Sequence, residues 1–320
     1  MIKKRKPIKI GILDFGSIQQ AVEGEGFSVK CLNPTKVFTD AIKARGYASV
    51  VYKVDKCQMF FGKKGASILY NNKPIKGCDV LIPRLDFSVN IDLEVSIIKQ
   101  FQLMGIPVVN KYLPISKAKN KLRTLQILTR YKIPVPKTMI VRKIDYLDDV
   151  IKKIGGYPVV IKAPFGSYGK EVAMLESRRS LTSALDIMWK QNRTSIILIQ
   201  EYVYEAGDSD IRVFVIGDKV VASMKRTARV GDFRSNLQLG GVASRVKLTK
   251  EEEKMAVKAT KALGLDVCGV DILRSKSGPV VMETNANPGI SGIMKVSDVD
   301  VVGEVIKFAA GMAKTAKIIK

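Results

Sequence analysis

Histidine is absent from the chain. That absence excludes a His-dependent triad, a histidine general base and a His-ligated zinc centre. Chemistry must run on carboxylates, lysines, arginines, backbone amides and bound metal. Cysteine is sparse: Cys31, Cys57, Cys78 and Cys268 match no zinc spacing and are read as reduced, buried thiols. No apolar run reaches the roughly 18 residues that a membrane-crossing helix needs. The basic start, Met1-Ile-Lys-Lys-Arg-Lys-Pro, is followed by neither a sustained apolar core nor a small-residue cleavage site. A cytoplasmic location is therefore expected. Acidic residues are the minority charge, 30 Asp+Glu against 54 Lys+Arg, for a formal charge of +24. Such a surplus raises nucleic-acid binding as an option. The lysines are spread along the chain, however, with no basic, aromatic-interleaved stripe of the RNA-binding kind. They read as a solvated surface that also attracts nucleotides and polyacidic chains; no specific nucleic acid and no membrane partner is expected.

With 320 residues, 46% of them hydrophobic, the chain can build two or three units with substantial cores. Residues 1–113 alternate short apolar strands (Ile8 to Leu13, Ser49 to Val54, Val80 to Pro83, Pro107 to Asn110) with helical segments (Thr39 to Arg45, Leu93 to Met104). This alternation predicts a small α/β domain with a largely parallel sheet. Arg84 ends one of these strands, where open α/β sheets bind ligands, and is a candidate substrate contact. No Gly-x-Gly-x-x-Gly follows the first strand, so a dinucleotide fold is not proposed. Further on, helices are predicted over Lys117 to Tyr131, Asp145 to Ile154 and Arg179 to Gln191, and strands over Pro158 to Ala163 and Ile196 to Glu201. Asp210 to Ile216 and Lys219 to Arg226 form a hairpin through Gly217-Asp218. Thr249 and Glu252 make a capping box for a helix that Gly264 stops, and a terminal helix runs from Val301 to Lys314.

The most informative segment is a second predicted hairpin. Apolar runs Val267 to Leu273 and Pro279 to Met282 flank the turn Ser275-Lys-Ser-Gly278. Asp271 and Glu283 lie at similar distances from that turn, so they should face each other across the strands. Asn285 is two residues beyond Glu283 and shares its face. Three oxygen donors without His or Cys suit a hard cation, Mg²⁺ or Mn²⁺. The competing reading is two solvated carboxylates beside a loop.

Other residues suit an anion. Lys162 ends an apolar strand, where a charge needs a partner. Gly166 and Gly169 follow, and a small-residue loop offers backbone amides to phosphate; Gly-x-x-Gly is also a common structural turn. Gln200-Glu201-Tyr202-Val203 leaves a strand in a way that suits an adenine edge. Asp210, Arg212, Lys225, Arg226, Arg229 and Arg234 form the densest strand-borne charge, with Arg234-Ser235-Asn236 in a glycine-bounded loop. Strand-end arginines suit phosphate or carboxylate, and a charged sheet edge is the alternative.

The run from Gln200 to Arg226, together with Gly231-Asp-Phe-Arg-Ser-Asn, Gly269-Val-Asp-Ile-Leu-Arg-Ser and Val281-Met-Glu-Thr-Asn-Ala-Asn-Pro-Gly, resembles the RimK-type branch of the ATP-grasp ligases. The Asn120-Lys-Leu-Arg helix and Gly166-Ser-Tyr-Gly loop fall in the same order, and the resemblance spans about residues 75 to 310. It implies an α/β architecture: an N-terminal pre-ATP-grasp domain (1–113), a small lid subdomain (114–195) and a large subdomain carrying the metal site (196–320). It implies that Lys121, Lys162, Gly166 and Ser167 hold ATP phosphates, that Glu201 and Tyr202 lie at the adenine, and that Asp210 is on the ribose side. Arg234, Ser235 and Asn236 would contact the triphosphate and a developing acyl phosphate, with Arg226 and Arg234 catalytic. Asp271, Glu283 and Asn285 would hold two Mg²⁺ or Mn²⁺ ions, and Asn287 would border the substrate. Glu171 stands where the pattern often has glycine, and Leu85 to Asp92 and Ile290 to Ile293 also depart from it. The expected activity is an ATP-dependent carboxylate–amine ligase that adds L-glutamate to a glutamyl or C-terminal carboxylate of a protein or peptide. The alternatives are glutamate addition to a small cofactor, another amino acid added to a carrier, or an ATP-binding regulator without turnover. Homo-oligomerisation is open.

Overall fold

The structure is a computed structural model that describes residues 6–15, 33–63, 65–84, 91–166, 172–191 and 196–319. Ser167, Gly169, Glu171 and Cys31 lie outside them, as does the stretch after Arg84, 85–90.

The N-terminal part contains β1 (Lys9–Asp14), α1 (Pro34–Ala44), β2 (Ala48–Lys53), β3 (Cys57–Gly62), β4 (Gly65–Tyr70), β5 (Lys73–Pro74), β6 (Val80–Arg84) and α2 (Ile91–Leu103). The order β2-β1-β6 is parallel throughout, as the alternation predicts. Two features differ from expectation. Strands β3, β4 and β5 form a separate antiparallel sheet that the sequence reading passed over. The stretch expected as a strand from Pro107 to Asn110 contributes only a bridge between Val108 and Leu81.

The helix expected over Lys117 to Tyr131 is two helices, α3 (Tyr112–Lys119) and α4 (Lys121–Arg130). Asn120 is extended at the junction, and its side chain accepts from Arg123 N. Asparagine competes well for such a capping role, so the chain breaks there and Lys121 opens a new helix.

The middle part holds β7 (Thr138–Val141), α5 (Leu147–Ile154), β8 (Val159–Lys162), β9 (Val172–Leu175), α6 (Arg178–Gln191) and β10 (Ile197–Glu201). Its antiparallel sheet has the order β7-β10-β8-β9. Strand β10 belongs to this sheet, although the sequence division at 195 assigns it to the following unit. The helix expected from Asp145 begins as a short 3₁₀ turn and becomes α-helical at Leu147.

The last part has β11 (Ser209–Ile216), β12 (Lys219–Thr227), β13 (Val242–Ser244), α7 (Lys250–Leu263), β14 (Val267–Ser275), β15 (Gly278–Asn285), α8 (Ser291–Val296) and α9 (Val301–Ile319). The sheet order is β13-β12-β11-β14-β15, with both predicted hairpins present. Helix α7 starts with the capping box of Thr249 and Glu252 and ends at left-handed Gly264.

Among the described residues, three buried clusters organise the fold. One joins the N-terminal part to α7 and the inner face of the five-stranded sheet, through residues such as Leu81, Phe101, Val213, Met255 and Val270. A second packs α1 and α9 against Ile10, Phe214 and Met224. The third, including Leu147, Ile161, Leu185 and Ile199, is confined to the middle part. The middle sheet thus carries its own core and lies over the last sheet, and the gap between them is the site. Among the described residues no helix is long and apolar enough to cross a membrane.

Candidate active site

Strand alternation builds this cavity. In β8, Val159 and Ile161 enter the middle core while Val160 and Lys162 face the gap. In β10, Ile197 and Ile199 face the core and Gln200 faces the gap. Across the gap, Ile211 and Val213 of β11 and Val270 and Ile272 of β14 pack inward. Asp210 and Asp271 alternate with them and line the cavity.

The hairpin register matches the expected pairing: Asp271 lies opposite Glu283 and Gly269 opposite Asn285. One detail was not visible in the sequence. The ladder shifts so that Ile272 pairs with Val281, which leaves Met282 as an extra residue on β15. A strict two-residue period would place Val281 on the same face as Glu283. The bulge lets Val281 enter the core while both Met282 and Glu283 face the cavity.

Buried charges alternate in sign behind this surface. Arg226 grips Asp210 with Nε to Oδ1 at 2.7 Å and Nη2 to Oδ2 at 2.6 Å. The same Nη2 lies 2.9 Å from Asp271 Oδ2. Arg212 completes the row, donating from Nε to Asp271 Oδ1 and from Nη2 to Oδ2 at 2.8 Å. Burial alone would push the Asp271 carboxyl up, but the Arg212 and Arg226 guanidiniums outweigh it and hold the group below its usual range. Gly269 makes room for this arrangement, because a Cβ there would stand 3.0 Å from Arg212 Cδ and 2.8 Å from Pro288 Cβ. Arg212 was grouped with the strand charges in the sequence but given no role. Its place two residues after Asp210, on the same strand face, is the signal that identifies it.

Asp210, expected on the ribose side, directs its carboxylate to Arg226 and to the Ser235 hydroxyl, which donates to Oδ2 at 2.6 Å. Ser235 thereby ties the Arg234-Ser235-Asn236 loop to the sheet. Arg234 is held from the other side by Asp232, accepting from its backbone N at 2.9 Å and from Nη2 at 2.9 Å. Its hydrogen bonds bring the Asp232 carboxyl down to about 2.

The lysines come from separate elements. Lys162 Nζ donates to Gln200 Oε1 at 2.7 Å, and Gln200 in turn donates to Thr138 Oγ1 at 2.8 Å. Burial lowers Lys162 to about 8 despite the opposing pull of Glu283. Lys121, brought in by the start of α4, donates to the Gly166 carbonyl at 3.3 Å and lies 3.6 Å from Glu283 Oε1. At the opposite end, the Glu201 carboxylate accepts from Lys137 N at 2.8 Å, so its side chain braces β10. Tyr202 donates to Asp208 and stacks edge-on against Tyr204, with ring centroids 5.1 Å apart.

One cavity therefore collects Lys121, Lys162, Gly166, Glu201, Tyr202, Asp210, Arg226, Arg234, Ser235, Asn236, Asp271 and Glu283. Gln200, Phe233 and Met282 also line it; the sequence points to Gln200 only through the Gln200–Val203 strand exit and gives Phe233 and Met282 no role. Asn285 sits behind, its Nδ2 3.2 Å from Asp271 Oδ2. Arg84 is placed elsewhere, at the carboxyl end of β6 over the Phe38 ring, and neither it nor Asn287 lines the cavity. Asp271 and Glu283 bring two carboxylates to the cavity with the Asn285 amide behind Asp271, donor types that suit Mg²⁺. In the structure the cations on those carboxylates are Lys121, Arg212 and Arg226.

Comparison with known proteins shows the family. The family model of the RimK-like ATP-grasp domain matches residues 118–309, and that of the RimK PreATP-grasp domain matches residues 30–115. A probable alpha-L-glutamate ligase of Maridesulfovibrio salexigens is 41% identical over 286 residues, 89% of this chain and 94% of that one. A second, from Pseudoalteromonas translucida, is 42% identical over 279 residues, 87% of this chain and 92% of its own. Among solved structures, the ATP-grasp ligase PsnB complexed with minimal precursor, Mg and ADP superimposes with a TM-score of 0.69 at 17% identity, covering 95% of this chain and 98% of PsnB. The chain belongs to the RimK-like ATP-grasp family and is an ATP-dependent ligase.

Proposed function

We propose that the protein joins the amine of L-glutamate to a carboxylate of a protein or peptide acceptor, a glutamyl or C-terminal group, through an acyl phosphate. The observation that carries this reading is the Asp271–Glu283 pair facing Lys121, Lys162 and Arg234 across a single cavity. It gathers the charges that a triphosphate and a developing phosphoryl group require, and the proposed chemistry needs no covalent enzyme nucleophile. The naming of the 41% and 42% identical relatives as probable alpha-L-glutamate ligases supports glutamate as the amine.

In the proposed reaction an acceptor carboxylate oxygen attacks the γ-phosphorus of ATP and the bond to the β-phosphate oxygen breaks, releasing ADP. The amine then attacks the acyl carbon. Phosphate leaves and the nitrogen loses a proton, giving an amide. Phosphoryl transfers of this kind depend mainly on positioning and charge neutralisation. Lys121 and Lys162 hold the phosphates beside Gly166, and Ser167, outside the described residues, is assigned to the same phosphates by the family resemblance. The β10 exit at Glu201 and Tyr202 borders the adenine, with Asp210 reaching the ribose side only through the groups it braces. Arg234, Ser235 and Asn236 face the transferring phosphoryl group, and Arg226 fixes Asp271. Asp271, Glu283 and Asn285 would hold two Mg²⁺ or Mn²⁺ ions, which would neutralise phosphate charge when bound. Arg84 and Asn287 are assigned to the substrate side.

ADP release measured with a panel of amino acids and carboxylate acceptors tests the proposal. L-Glutamate with a glutamyl-terminated peptide should give the highest turnover. ATP binding without turnover for any pair would overturn it.

A further inference from the structure

A second hollow, of about 780 Å³, lies on the other face of the five-stranded sheet. Helix α7 packs into the core through Met255, Ala256, Ala259 and Leu263. Its outer stripe presents Lys254, Lys258 and Lys261, all exposed, and Lys219 joins them from the β11–β12 turn. Among the described residues, none of these four ammonium groups has a carboxylate within ion-pair distance. Tyr131 and Val257 supply an apolar wall. The groove is distinct from the nucleotide cavity, because the core-facing residues of β11 point toward α7 while Asp210 and Arg212 point away from it.

We propose that this groove docks an acidic segment of the polypeptide acceptor. The inference rests on the reading of the enzyme as a ligase for protein or peptide carboxylates. Lys254, Lys258 and Lys261 span about 10 Å along the helix, at 1.5 Å per residue. An extended peptide repeats its same-side positions every ~6.7 Å, close to the roughly 6 Å axial step from Lys254 to Lys258, so two alternate acidic side chains can meet that pair, with Lys261 and Lys219 beside them. Asp218 and Glu253 at the rim accept from peptide N–H groups, donors that a phosphodiester link lacks. A single aromatic ring, Tyr131, is also fewer than the stacking platforms of single-strand nucleic-acid grooves. Since each glutamate added contributes another carboxylate, the groove holds longer products more firmly and tethers a long acceptor to the enzyme between turnovers.

The test uses the full chain and a fluorescein-labelled oligo-α-L-glutamate of about a dozen residues, with binding read by anisotropy. The wild type should bind, at least tenfold more weakly when salt is raised from 50 to 300 mM. K254E/K258E/K261E should lose at least tenfold in affinity, and its neutral counterpart K254Q/K258Q/K261Q about threefold or more; circular dichroism confirms that both are folded. With a long acidic acceptor the triple reversal should raise KM and leave kcat unchanged, while a two-residue acceptor should be used as by the wild type. Equal affinity of wild type and both variants would overturn the proposal. So would tighter binding of a single-stranded RNA of the same length that is lost in the triple variant. If the oligoglutamate binds through the lysines but is never extended, the docking site stands and the acceptor assignment falls.

Discussion

Arg226 Nη2 lies 2.9 Å from Asp271 Oδ2 while the same guanidinium holds Asp210 bidentately. All three groups are buried, with Arg226 5% exposed, Asp210 3% and Asp271 1%. Removing the arginine leaves two carboxylates without their shared cation. Arg226→Met should lower stability by about 3–5 kcal/mol, the scale for breaking a buried ion pair. Urea unfolding measures this. Arg226→Lys, which keeps the charge but lacks the fork, should recover only part of the loss.

Glu283 should behave differently. Its side chain is 33% exposed and its ion pair with Lys121 is long, at 3.6 Å. Glu283→Gln should therefore change stability by less than ~1 kcal/mol. Turnover should nevertheless fall by about a hundredfold or more, because an oxygen donor facing the phosphates loses its charge. Paired kcat and unfolding measurements separate the two effects.

Lys162 makes ATP affinity depend on pH. Burial brings it to about 8 in the ligand-free protein. Below that pH the ammonium is present to meet phosphate; above it the neutral amine predominates. ATP affinity should weaken as pH rises through about 8, and Lys162→Met should bind weakly with a flatter profile. The stability term has the opposite sign. The unfolded chain, with its ordinary value of 10.5, binds more protons between about 8 and 10.5. Lys162 thus contributes a gain in ligand-free stability as pH rises across that window.

Asn110 joins distant parts of the chain. Its Oδ1 accepts from Asp266 N at 2.6 Å and Val267 N at 2.8 Å, and its Nδ2 donates to Val267 O at 2.6 Å and Ala286 O at 2.8 Å. It pins the start of β14 to the chain just past β15, beside Asn285. Asn110→Ala leaves buried backbone groups unpaired and should destabilise by about 2–5 kcal/mol. Asn110→Asp should do no better, because a carboxylate cannot donate to the two carbonyls. Thermal unfolding of both variants checks this.

The sequence showed the site better than the fold around it. Asp271 and Glu283 were legible because a carboxylate within an apolar strand is costly without a purpose, and the turn at Ser275–Gly278 sets their pairing. Lys162 was legible for the same reason. The Met282 bulge was not, since a two-residue period contains no extra residue. The break at Asn120 was hidden within a run of helix formers, and only the side-chain cap reveals it. The β3–β5 sheet escaped notice because its exposed positions include Phe60 and Phe61, so it lacks a clear inside and outside. The family resemblance places Asp210 on the ribose side; its pairing with Arg226 and Ser235 was not visible in the sequence. Such pairings depend on register across strands, which local pattern does not specify.

The central claim is that the acceptor carboxylate is phosphorylated before the amine attacks. An acceptor peptide carrying ¹⁸O in its reactive carboxylate, incubated with ATP and L-glutamate, tests this directly by mass spectrometry of the phosphate released. Transfer of one labelled oxygen to inorganic phosphate in each turnover is the predicted result. Unlabelled phosphate accompanying amide formation, or AMP and pyrophosphate in place of ADP and phosphate, would contradict it.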